Sequence, residues 1–129
     1  MKDPAPRSQL YDWESIPAKP TKPGSTRPFF KQPTGTLDLM SCHVTTLNPG
    51  EAPHAPHQHP EEEMIILKEG TLEAMHDGQT KRMSAGSVLF LAPNDLHGVR
   101  NVGDKPATYY VLKWWPAREG DGMTMARTG

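Results

Sequence analysis

From residue 36 onward, apolar and polar side chains alternate in short runs, each ended by Gly, Pro, Asn or Asp. A period of two belongs to a strand with one buried face, and many such runs in succession predict an all-β sandwich or barrel. The predicted strands are 36–47, 63–68, 71–76, 79–83, 87–92, 97–102 and 107–115. The runs 87–92 and 97–102 are expected to be buried strands. Turns fall at Asn48-Pro49-Gly50, Ala85-Gly86 and Gly103-Asp104-Lys105-Pro106. Asp77-Gly78, flanked by alternating residues, is the signal of a type I′ hairpin, whose two central residues need positive φ. No run of helical period reaches three turns.

Residues 1–35 break this pattern. They hold seven of the fourteen prolines. Proline fixes its own φ and pushes its predecessor toward extended conformations, so Pro17-Ala18-Lys19-Pro20 and Lys22-Pro23-Gly24 are not helical. Tyr11, Trp13, Ile16, Phe29 and Phe30 are too large and apolar to be left in water. The expectation is an extended arm laid against the barrel or against a partner subunit. The organisation is then arm 1–35, barrel 36–116, and a mobile Gly- and charge-rich tail 117–129.

Length and charge narrow the picture. A chain of 129 residues has room for one domain with a modest core. A formal net charge of −1 gives no electrostatic reason to expect nucleic acid or an anionic membrane as partner. The arm is basic, with six Lys/Arg against three acids, but lacks the aromatic interleaving of an RNA-binding surface. The single cysteine, Cys42, excludes an internal disulfide and is expected to pack as a small buried hydrophobe. No stretch has the apolar length of a membrane span and no apolar signal core follows Met1, so a cytoplasmic protein is expected.

The candidate chemistry lies in residues 53–63, Pro-His-Ala-Pro-His-Gln-His-Pro-Glu-Glu-Glu. On a strand, His57 and His59 project from one face, roughly 7 Å apart along the chain, and can converge on one ion. Pro60 bends the chain so that Glu63 swings back toward both rings. His97, from a distant strand after the turn Pro93-Asn94-Asp95, is the fourth candidate. Three imidazoles and a carboxylate suit a divalent transition metal (Mn, Fe, Co, Ni or Zn) and suit Ca or Mg poorly. Four protein ligands leave two positions open on an octahedral ion. The competing reading is a His-rich, acidic, solvated loop.

The spacing resembles that of the cupin superfamily. The first cupin motif is matched by Gly50, His57-x-His59, Glu63 and Gly70, with one extra residue in the first gap. The second is matched by Gly86, Pro93, His97 and Asn101. Pro93 comes one residue late, but the eleven-residue interval from Gly86 to His97 is kept. Asn94-Asp95 replaces the usual turn glycine. The resemblance spans roughly 36–115 and implies a jelly-roll β-barrel of two antiparallel sheets with a metal inside one mouth. It also implies a homodimer, a role the aromatic arm would suit.

Around this set, His43 is expected to be a satisfied core histidine or a proton carrier in the pocket. His54, out of phase with His57, belongs at the pocket mouth or in solvent, and His76 beside the hairpin is expected in solvent. Glu62 is a substitute ligand should the register slip by one. Asn101 reads as structural. Tyr109, Val111 and Lys113 share one face of the last strand and Tyr110, Leu112 and Trp114 the other, without the sequence saying which faces inward; Tyr109 is retained as a pocket candidate. Met40, Met64, Met75 and Leu89 are expected to make the pocket wall apolar. Three functions fit: a metal-dependent enzyme on a small organic molecule (dioxygenase, isomerase, decarboxylase or amidohydrolase by family analogy), a non-catalytic small-molecule binder, and a barrel stabilised by its metal.

Overall fold

The computed structural model describes residues 6–116; the expected tail 117–129 lies outside them. The chain forms a single 3-10 turn, Trp13–Ser15, and nine strands: β1 Lys19–Pro20, β2 Gly24–Gln32, β3 Leu37–Leu47, β4 Glu62–Glu69, β5 Leu72–His76, β6 Gln79–Met83, β7 Val88–Leu91, β8 His97–Asn101 and β9 Ala107–Pro116. They make two antiparallel sheets, one in the order β1-β2-β3-β9-β4-β7 and one in the order β6-β5-β8. No helix among the described residues is long and apolar enough to cross a membrane.

Pairing decides what the alternation left open. Across the larger sheet Thr45, Tyr109 and Leu67 share a rung, as do His43, Val111, Ile65 and Leu89. Directly opposed residues share a face, so these rungs place Tyr109, Val111 and Lys113 inward. Tyr109 and Val111 form the core with Leu47, Leu72, Met83, Leu91 and Val99. The apolar residues cluster at one end, and Ser41, Lys113 and Glu63 stand on one rung at the other. That gradient leaves a polar opening at one mouth.

Several expectations need correction. The proline-rich segment is extended, but Gly24–Gln32 is more than an arm: it is a strand paired with β3 along its length. Pro28 lowered its strand signal, and it is accommodated where the register shifts between Pro28 and Phe30. β7 is not buried on both faces. It ends the larger sheet, so Leu89 and Leu91 are buried while Val88 and Phe90 stay 57% and 53% exposed. Met40 and Met64 pair with Trp114 and Leu112 on the outer face, and Met75 alternates with the inward Leu72 and Ala74. Of the four wall residues expected, only Leu89 points inward.

The arm residues cover the outer face of this sheet within the same chain. Trp13 packs edge-on to Phe29 and against Tyr110, with the Arg27 guanidinium 4.2 Å from its ring centroid. Arg27 also donates to the carbonyls of Trp13 and Ile16, and Tyr11 lies on Phe30. Cys42 and Val44 on the outer face are thereby buried to 8% and 2% exposure.

The predicted hairpin is present: Asp77 and Gly78 have φ of 50° and 73° between the paired His76 and Gln79. Asn94, in the turn before β8, takes the left-handed conformation at φ 64°, as its short polar side chain permits.

Candidate metal centre

His57 and His59 are not on a regular strand. Pro53, Pro56 and Pro60 remove backbone donors from this stretch, and only His57 pairs, as an isolated bridge to His97. The two residues exchange both backbone hydrogen bonds, His57 N to His97 O at 3.0 Å and His97 N to His57 O at 2.9 Å. Asn94 N donates to His59 O at 2.7 Å. The His-rich loop is therefore tied by its main chain to the start of β8 and to the turn before it.

This seating brings four side chains together. The rings of His57, His59 and His97 lie 4.9–5.1 Å apart, centroid to centroid, and nearly perpendicular to one another. Glu63 Oε1 is 2.8 Å from His59 Nε2 and 3.4 Å from His97 Nε2. One donor atom from each of the four lies within 4.8 Å of the others, so the cluster could hold a metal ion.

Three features favour that use. The Nδ1 of His59 lies 3.0 Å from the Glu61 carbonyl, and that of His97 3.0 Å from the Asp95 carbonyl. A carbonyl only accepts, so each Nδ1 carries a proton, and loss of the proton shared between His59 Nε2 and Glu63 Oε1 leaves both Nε2 lone pairs for an ion. Next, His97 Nε2 is buried with no hydrogen-bond partner; at 3.4 Å the Glu63 carboxylate is near it without bonding geometry. A buried polar nitrogen without a partner is costly, and a cation at the centre removes that cost. Finally, three nitrogens and one carboxylate oxygen form a donor set of borderline hardness.

Burial, then repulsion from His54, His97 and His59, pushes the His57 pKa down to about 4. His57 is therefore a neutral donor throughout the physiological range. The sign for stability follows. Between about 6.5 and 4 the unfolded chain takes up a proton that the folded chain refuses at His57, so the metal-free protein loses stability as pH falls through that window. Thermal melts of metal-free protein at pH 7.5, 6 and 5 should show this, with a shallower slope in His57→Asn. Equal slopes would remove His57 as the cause.

The cavity beside the cluster has a volume of about 230 Å³ and is lined by Ile65, Val99 and Val111 together with His43, Thr45 and Tyr109. His43 has its pKa lowered by burial and by the charge of Lys113. The Tyr109 hydroxyl, hydrogen-bonded to Thr45, has its pKa raised by burial, so it stays protonated. His54 lies at the mouth, its ring 3.9 Å from that of His57, and it lines the cavity although it is exposed. Glu62 is no substitute ligand: it faces outward and accepts a hydrogen bond from Trp114 Nε1 at 2.9 Å. His76 is half-buried, not solvated, because it sits opposite His97 on the paired strand. The sequence reading passed over Lys113, which lines the cavity on the rung of Glu63. Its parity with Tyr109 was the available signal.

Comparison with known proteins follows the same line. The family model Cupin_2, described as a cupin domain, matches residues 43–113. No curated protein sequence matches the chain. Among solved structures, an RmlC-like cupin from Shewanella frigidimarina shares 18% identity over 88% of this chain and 95% of its own, with a TM-score of 0.70. A Cupin 2 conserved barrel domain protein from Salinispora arenicola shares 22% over 95% and 100%, with a TM-score of 0.66. A sugar phosphate isomerase of the cupin superfamily from Silicibacter pomeroyi shares 21% over 82% and 75%, with a TM-score of 0.64. At these identities the likeness is one of fold.

Proposed function

The chain belongs to the cupin domain family, and from that premise we propose that it is a metal-dependent enzyme acting on a small organic molecule, with His57, His59, Glu63 and His97 holding one divalent transition metal. The observation that carries this reading is the unpartnered, buried His97 Nε2 aimed at the same point as the His59 and Glu63 donors. A divalent ion bound there would supply Lewis acidity and lower the pKa of a coordinated water.

The surrounding residues suit turnover better than mere structural support. Structural metal sites are closed, whereas three of these four donors, His57, Glu63 and His97, line a cavity with room for a ligand. Ile65, Val99 and Val111 give that cavity an apolar wall opposite its polar groups. His43, kept neutral, can take up a proton, and Tyr109, kept protonated, can donate a hydrogen bond. Cys42 is no rival nucleophile. It lies on the outer face beneath the arm, with its pKa raised by burial.

Elemental analysis of the purified protein tests the reading. About one Mn, Fe, Co, Ni or Zn per chain is expected, removable by chelator and restored by re-addition. A screen of small 2-oxo acids, 2-hydroxy acids and sugar phosphates should give turnover that disappears with the metal. A protein that takes up none of these ions after reconstitution would sink the proposal, and metal without turnover on any class would leave a binding module in its place.

A further inference from the structure

Lys113 is placed unusually for a lysine. It points to the inner face of β9, opposite Ser41 on one side and Glu63 on the other. Its neighbour across the strands does not neutralise it. The Glu63 carboxylate bonds His59, and no carboxylate of the described residues lies within 4.0 Å of the Lys113 ammonium. Lysine is a costly residue to point into a barrel without a counter-charge.

Two cavities meet at this side chain. The one beside the four donors has Glu63 and Lys113 as its charged lining residues. The second, about 430 Å³ and more open, shares His43 and Lys113 with it and adds Lys31 and Glu61. A ligand entering through the open cavity thus passes the Lys113 ammonium on its way to the donor cluster.

Charge then narrows the ligand. A divalent ion held by three neutral imidazoles and one carboxylate keeps one unit of positive charge, and Lys113 adds another beside the same cavity. A neutral ligand leaves both uncompensated, a monoanion compensates one, and a dianion with two oxygen groups compensates both. The inner cavity has roughly the volume of eight water molecules at ~30 Å³ each, which limits the ligand to a few heavy atoms. Resting on the metal reading above, we propose that the site takes a small organic acid: one oxygen group faces the metal position, and Lys113 selects the acid by pairing with its carboxylate.

The test uses malonate as the acid and imidazole as a neutral ligand for the same open metal positions, titrated calorimetrically into zinc-loaded protein. Metal content and melting temperature are measured first on every variant. Lys113→Met should keep its zinc and bind imidazole within about twofold of wild type. It should bind malonate tenfold to a hundredfold more weakly, as expected for loss of a charge-assisted hydrogen bond. Lys113→Arg should recover most of the malonate affinity. If Lys113→Met does not fold, Lys113→Gln carries the same comparison. Equal malonate affinity in zinc-replete wild type and variant overturns this inference and leaves the metal reading standing. So does an equal loss for both ligands, which would mean a disturbed metal site. Wild-type protein that holds no zinc overturns both.

Discussion

Replacing His97 with alanine is expected to reduce bound metal from about one ion per chain to less than about a tenth of that at micromolar free metal. The reason lies in what the residue provides. Its Nε2 is the buried nitrogen without a protein partner, and its ring is locked by the Asp95 carbonyl. Outer-shell changes at metal sites cost about 10–100-fold in affinity, and removing a ligand from the inner set should exceed that. The fold should survive, because the lost side chain makes one hydrogen bond and its backbone bridge to His57 is unaffected. Added metal should therefore raise the melting temperature of wild type, by preferential binding to the folded state, and leave that of His97→Ala unchanged. His43→Ala, in the same cavity but outside the donor set, should keep its metal. A His97→Ala protein with wild-type metal content would remove the residue from the site.

Asn101→Leu should be the most damaging of the conservative-volume substitutions. Asn101 is fully buried at the end of β8. Its Nδ2 donates to the carbonyls of Leu47 at 2.9 Å and Lys105 at 2.8 Å, and its Oδ1 accepts from Gly103 N at 2.9 Å. Its own backbone bonds Gly50 and Glu51. It thus joins the end of β3, the loop toward the histidines and the turn before β9. Leucine fills similar space but leaves three main-chain groups without these partners, the Leu47 carbonyl among them in the buried interior. A loss of about 3–4 kcal/mol is expected, lowering Tm by roughly 10–20 °C. Chemical denaturation would measure it, and a loss below about 1 kcal/mol would show that water takes over these bonds.

Much of this molecule was legible before folding, for reasons that differ by element. β6 and the Asp77-Gly78 turn are local matters: alternation and two left-handed residues determine them. The four donors were legible because they sit at fixed intervals whose spacing resembles a known motif. β2 was not, since Pro28 lowers its strand signal and only the pairing with β3 reveals it. The inward face of β9 was equally hidden. Tyr110, Leu112 and Trp114 are as apolar as their inward neighbours, because Trp13 and the arm bury part of the outer face. With both faces apolar, alternation carries no information, and only the rungs through Tyr109 and Val111 decide the matter. The side on which Lys113 falls was lost for the same reason.

The bridge between His57 and His97 has a meaning in time as well as in space. Its two halves are 40 positions apart in the chain, with four strands, β4 to β7, synthesised between them. A growing or refolding chain therefore has His57, His59 and Glu63 before His97, as three donors without the fourth. The full set of four exists only once β8 has closed against the histidine loop, and contacts so distant in sequence form slowly. Completion of the donor set is thus coupled to the closure of β8 on that loop, and a chain that has not reached it holds an incomplete set.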